Sequence, residues 1–378
     1  MQKLQDIRSG LLIMVRSTGI LADRNIATLF DNGALVSEEK LYKNQIQAAS
    51  LDLRLGKKAY RVRASFMPGL NIRVTDKLER LKLHELNLLE GAVLEVGCVY
   101  IVPILEKLAL PSDLSAVTNP KSSTGRLDVF TRVITDGAYK FDEIPTGYRG
   151  PLYLEISPRT FPIVVRAGSC LSQIRFCRGV SEVNESTMHE LHATNVLTSD
   201  EKPNISIGGL ALSIDLTGTS DRLIGYRGKR YTGIVDIDQY AAYDILDFWE
   251  PIYNRGMNEL VLDPDEFYIL VSREAIHIPP LYAAEMTPFD PLIGEFRVHY
   301  AGFFDPGFGN STVGGKGARA VLEVRSHKIP FILEHGQIIG RLVYKHMLEQ
   351  PNTLYGKDLE SNYQGQGLKL SKHFRSKN

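Results

Sequence analysis

At 378 residues and 42.3 kDa the chain is long enough for two domains, or one large one, around a real hydrophobic core. Lys+Arg and Asp+Glu both number 44 and hydrophobic residues make up 43%, which excludes an acidic disordered tail, a fibrous protein and the broad positive field that gathers nucleic-acid polymers. The 3 cysteines form no C-x-x-C pair, which argues against a disulfide scaffold or a cysteine zinc site and fits a reducing cytoplasm. In chain order, the apolar run Leu11 to Val15 is closed by Arg16, too short for a signal core or a membrane span, so neither export nor a membrane partner is expected. Leu21, Ile26, Leu29 and Phe30 form one apolar stripe that Asn32-Gly33 ends, which predicts a helix over Leu21–Phe30. Short segments rich in Val, Ile, Tyr, Phe and Leu then predict strands at Val99–Pro103, Leu152–Ile156, Phe161–Val165, Glu266–Val271 and Gln337–Tyr344. The pattern is mainly β.

The two halves match piecewise. Ser50-Leu51-Asp52-Leu53 recurs as Ser213-Ile214-Asp215-Leu216, and Ala138 with Asp142 as Ala301 with Asp305, both at an offset of 163 residues. Tyr100-Ile101-Val102 recurs as Tyr268-Ile269-Leu270, and Leu154-Glu155-Ile156 as Leu322-Glu323-Val324, at 168. Collinear matches of this kind point to duplication. The expected organisation is a first repeat at 1–178, a polar linker at 179–204, a second, degenerate repeat at 205–350 and a mobile tail at 351–378.

Pro120-Lys121-Ser122-Ser123-Thr124-Gly125-Arg126 places two cations, three hydroxyls and a glycine after a proline turn. Lys and Arg give charge-assisted bonds to phosphate, and hydroxyls and backbone N–H groups give the rest. The plain alternative is a solvated polar loop. Further on, period-2 alternation puts Leu152, Leu154 and Ile156 on one strand face and Glu155 on the other, between Tyr153 and Ser157. A carboxylate there, partly desolvated, can act as a general base near neutrality; an edge glutamate facing water is the alternative.

Four blocks in this order resemble the dCTP deaminases of the dUTPase-like superfamily: Leu21 to Ile26 with Gly33, Ser50 to Gly56, Lys121 to Leu127, and Ala138 to Glu155. The likeness covers roughly residues 19–178, with the second half a diverged copy. It implies two tandem dUTPase-like distorted β-barrel (β-clip) repeats with few short helices. It implies hydrolysis of dCTP to dUTP and ammonia, with Glu155 as base on a water that attacks C4 of cytosine. Ser122 and Arg126 would lie near that water and the phosphates, in the family often from a neighbouring subunit, and Lys121 and Ser123 would hold the triphosphate with Mg²⁺. Ala138 and Asp142 would contact substrate, no zinc is implied, and a homo-oligomer, a trimer, is.

Lys121 stands where the family has Arg, keeping charge but losing the bidentate fork. Asp128 stands where the family has Gly, and would repel phosphate unless it points away. In the second half Glu285 to Pro291 replaces the phosphate loop, and Glu323, two residues from Arg325, is expected to form an ion pair and serve structure. The tail has five basic residues against two acidic ones after Pro351, and Ser361 to Gly367 resembles the family's nucleotide-closing segment, with Tyr363 and Gln366 as substrate contacts. His189-Glu190-Leu191-His192 misses the H-E-x-x-H zinc spacing by one residue. Two other readings stay open: a dUTP diphosphatase or bifunctional enzyme, through Phe141-Asp142 and Gly147 to Gly150, and a nucleotide-sensing module without catalysis.

Overall fold

The structure, a computed structural model, describes residues 16–218, 221–288, 296–299, 302–310, 316–326, 328–356 and 367–375. It is mainly β, with five short helices among the described residues. No helix of these residues is long and apolar enough to cross a membrane. The helix predicted over Leu21–Phe30 runs Asp23–Asp31 and buries Ile26 and Leu29. The predicted strands all form, most of them longer: Val99–Ala109, Arg149–Pro158, Ile163–Val165, Phe267–Ile276 and Ile338–His346.

In the first half, Cys170–Arg178 lies between Leu51–Arg54 and Leu114–Pro120, which in turn pairs with Glu143–Ile144. In the second, Ile338–His346 lies between Gly209–Ser213 and Tyr282–Pro288, which pairs with Phe303–Phe304. The larger sheets follow the same rule. Val99–Ala109 and Arg149–Pro158 are paired at the centre of one, and Phe267–Ile276 and Ala318–Ser326 at the centre of the other. Each half also has its own buried core, since alternate residues of these strands face inward.

The halves do not separate cleanly at the expected boundaries. The polar stretch after Gly179 carries a helix, Glu185–Asn195, started by the Asn184 side chain accepting from the Thr187 amide at 2.9 Å. Its Met188 and Leu191 join the second core. Val235–Asp236, from the second half, adds a parallel strand to Ile163–Val165 of the first. The residues that follow bring Phe248 and Trp249 into the first core, where Phe161 meets the Trp249 ring edge-on at 5.2 Å.

Phe374 completes that aromatic group, 5.8 Å from Trp249, and both Phe374 and Leu370 are 5% exposed. The expectation of a mobile tail over 351–378 is therefore corrected for residues 367–375, whose apolar side chains are part of the core. The basic residues around them hid that apolar pair.

Candidate active site

The Leu114–Pro120 strand ends where the Lys121 amide donates to the Leu171 carbonyl at 2.9 Å. A single tight turn, Ser122–Gly125, follows, with the Thr124 and Gly125 amides both donating to the Lys121 carbonyl. The chain leaves the turn at Asp128 with φ of 55°, the left-handed region that asparagine, aspartate and glycine tolerate. The turn presents Lys121, Ser122, Ser123 and Arg126 to one cavity. Asp128 points away from it. Its carboxylate accepts from Thr160 Oγ1 at 2.6 Å and pairs with Arg325, so the expected repulsion does not arise.

Across the cavity stands the second half, not the first. Phe303, Phe304, Asp305 and Phe308 form one wall, and Glu323, from the Ala318–Ser326 strand, projects beside them. Arg126 Nε lies 3.9 Å from Glu323 Oε1, with both side chains almost fully buried. Burial pushes the Glu323 carboxyl from its ordinary 4.5 up to about 8, and the Arg126 charge opposes that rise. The expected Glu323–Arg325 pair is absent among the contacts described: Arg325 spans instead to Asp128 and to the Asp265 carbonyl. Two residues on one strand face here have separate partners, because the first half inserts Asp128 beside one and Arg126 beside the other.

Glu155 is placed elsewhere. It does not line the cavity, and Arg132 occupies its carboxylate through Nη2 at 2.6 Å and Nε at 3.1 Å. Arg132 is itself fixed, stacked 3.7 Å from the Phe141 ring centre and donating to Ser65 Oγ. The helix Val74–Leu81 packs on the same face through Val74 and Leu78, against Tyr153, Ile101 and Ile134. A base needs an open approach for water, and Glu155 is 1% exposed with its Oε1 held by Arg132. The geometry thus corrects the expectation that Glu155 faces the phosphate loop.

Ala138 and Asp142 share that displacement. Asp142 is half-buried, accepts from Thr118 Oγ1 at 2.7 Å and from the Val133 amide at 2.8 Å, and desolvation pushes its carboxyl up to about 6. Those bonds fix the turn before Glu143–Ile144. Ala138 is buried and its carbonyl accepts from the Gly69 amide. Their counterpart Asp305 does line the cavity; Ala301, Tyr363 and Gln366 lie outside the described residues.

Sequence reasoning missed several cavity residues. Asp52, in the repeated Ser-Leu-Asp-Leu block, pairs with Lys121 and accepts from Tyr42 Oη at 3.2 Å. Gln47, Gln173, Tyr355 and Lys372 also line the space. Arg175 does not, yet it shapes the far wall. Fully buried, it donates to the Ala284 carbonyl at 3.1 Å and to Asp305 Oδ1 at 2.8 Å, and lies 4.0 Å from the Phe303 ring centre. A lone arginine between Ile174 and Phe176 in an apolar strand was the available signal.

Among the described residues no group of three or more His, Cys, Asp or Glu is arranged to hold a metal. Of the cavity carboxylates, Asp52 is taken by Lys121 and Asp305 by Arg175. That donor set suits a cation carried on phosphate oxygens and does not form a protein cage. His192 serves its own helix end, Nδ1 accepting from the Leu197 amide at 3.2 Å, and Cys98, Cys170 and Cys177 are all free thiols.

Comparison with known proteins points in one direction. Residues 17–180 match the 2′-deoxycytidine 5′-triphosphate deaminase N-terminal domain, and residues 184–374 match the C-terminal domain of the same family. A dCTP deaminase of Pectobacterium atrosepticum is 30% identical over 165 residues, 82% of its own length and 41% of this chain. One from Haloarcula marismortui is 31% identical over 161 residues, 79% of its length and 42% of this chain. The crystal structure of 2′-deoxycytidine 5′-triphosphate deaminase from Agrobacterium tumefaciens is 68% identical, with a TM-score of 0.85 over 88% of this chain and 100% of that one.

Proposed function

We propose, for a chain that belongs to the dCTP deaminase family, a mechanism in which one half binds the triphosphate and the other supplies the base. The chain is an enzyme that deaminates dCTP. Lys121, Ser122 and Ser123 hold the phosphates by charge-assisted bonds, and the base of the nucleotide lies toward Phe303, Phe304 and Glu323. Glu323 takes a proton from water as the oxygen bonds to C4 of cytosine, and passes it to N3. It then moves the proton of the new C4 hydroxyl to the amino group, the C4–N bond breaks, and ammonia leaves with dUTP as product. A carboxyl held near 8 both accepts and returns a proton at neutral pH, which suits a shuttle. Arg126 beside it keeps the ionised form populated and offers positive charge to the developing hydroxide.

The observation that carries this reading is the meeting of the Lys121–Arg126 loop with Glu323 in one cavity. Mg²⁺ bound through the triphosphate would offset its charge. The chain reads as two copies of one unit; the shared strand order supports this, as does a relative matched over 82% of its length by 41% of this chain. A homo-oligomer is part of the proposal, and sedimentation tests it.

Product analysis tests the activity. Protein incubated with dCTP and Mg²⁺ should release ammonia and accumulate dUTP without pyrophosphate. Pyrophosphate release would instead favour the bifunctional reading, which needs Asp142 at the α-phosphate; its carboxylate is engaged by Thr118 and the Val133 amide. Binding of dCTP without turnover would favour a sensing module.

A further inference from the structure

The C-terminal segment is seated against the phosphate loop. Ser371 Oγ donates to the Ser123 carbonyl at 2.7 Å, and Arg126 Nη1 donates to the Lys369 carbonyl at 2.8 Å. His373, 2% exposed, bonds through Nε2 to the Ile237 carbonyl at 2.9 Å, and Phe374 is held in the aromatic core. The Lys372 carbonyl itself accepts from the Ala241 amide at 3.0 Å. With buried neighbours on both sides, the backbone at Lys372 is fixed, and its half-buried side chain is delivered to the wall that Lys121, Ser122 and Ser123 also form.

Three cations, Lys121, Arg126 and Lys372, therefore border one partly closed space. Asp305 is engaged by Arg175 and Asp52 is paired with Lys121, while Asp52 and Asp238 attract Lys372. Burial and the Lys121 charge both disfavour the protonated form of Lys372. Like charges brought together away from water cost free energy, and an anion bridging them offsets that cost. We propose that Lys372 is a further triphosphate-binding residue, positioned by the Ser371 and His373 anchors. The inference rests on the reading of this cavity as the triphosphate site.

Inorganic tripolyphosphate and deoxycytidine, titrated separately into the full chain by calorimetry, separate the two ideas. Lys372→Met should weaken tripolyphosphate and dCTP binding by about 10-fold or more, as expected for the loss of one charge-assisted bond, and leave deoxycytidine unchanged. Lys372→Arg should restore most of the affinity. Lys372→Gln replaces the methionine variant if that chain does not melt cooperatively. Wild-type affinity for tripolyphosphate in Lys372→Met, with a loss in Lys121→Met, overturns the role of Lys372 alone. No effect of Lys121→Met, or no tripolyphosphate binding by the wild type, overturns the reading of the cavity.

Discussion

Glu323→Gln tests the divided site through two independent readouts. The side chain keeps its shape but neither accepts nor returns a proton, so kcat should fall by about 10²- to 10⁴-fold with dCTP binding largely kept. Stability should move the other way. Between pH 4.5 and about 8 the folded chain retains a proton on Glu323 that the unfolded chain releases, so this group's contribution to stability declines as pH rises through that window. The gap corresponds to about 5 kcal/mol against the ionised form above pH 8, an upper bound that relaxation of the cavity reduces. Glutamine carries no charge to bury. The variant should therefore melt several degrees above the wild type at pH 9, with the difference shrinking toward pH 5. Melting curves at four pH values and an ammonia-release assay suffice. Parallel melting profiles of the two chains would refute the buried, proton-holding carboxyl, and loss of activity in Glu155→Gln with Glu323→Gln active would refute the assignment of the base.

Other outcomes follow from the same geometry. Arg126→Met removes the charge that opposes the rise at Glu323, so the ascending limb of kcat/KM, expected near pH 8 in the wild type, should move to higher pH; an unmoved limb would separate the two residues. Lys121→Ala and Ser122→Ala should weaken dCTP toward the affinity for deoxycytidine, and equal losses for both ligands would make the loop structural. Phe374→Ala empties part of the aromatic group and should cost about 3 kcal/mol in denaturant unfolding, whereas a tail that only covers substrate would cost nothing.

Strands, the first helix and the tight turn at Ser122–Gly125 were legible in the sequence because each depends on local rules: alternation, an apolar stripe with a stop signal, and a polar, glycine-containing stretch after a proline. Which carboxylate faces the loop was not, because period-2 alternation gives the face of a strand and says nothing of what is packed against it. Glu155 and Glu323 stand in matching strands with matching neighbours. They differ in what the other elements bring: Arg132 and the Val74–Leu81 helix over one, Arg126 from the opposite half beside the other. The resemblance contained a clue, since it implies a loop that often reaches its site from a neighbouring subunit, and under the proposed duplication that neighbour would be the other half of the chain. Arg325 misled for the opposite reason. Its nearest charge in sequence is Glu323, while its partner, Asp128, is almost two hundred positions away.

Under the proposed duplication, the seam between the halves also changes what natural selection can do with each copy. A protein that builds its site from two identical units must keep the loop and the carboxylate in every unit, since each surface performs both tasks at different contacts. Once both units lie in one chain, the tasks fall to different residues and can drift separately. One contact, Lys121 to Arg126 against Glu323, holds the cations and the proton-bearing group. The residues at the mirror-image position have other partners: Glu155 accepts from Arg132, and Asp142 settles into turn bonds. Substitutions that would disable every site in a single-copy relative should here be tolerated on one side of the molecule.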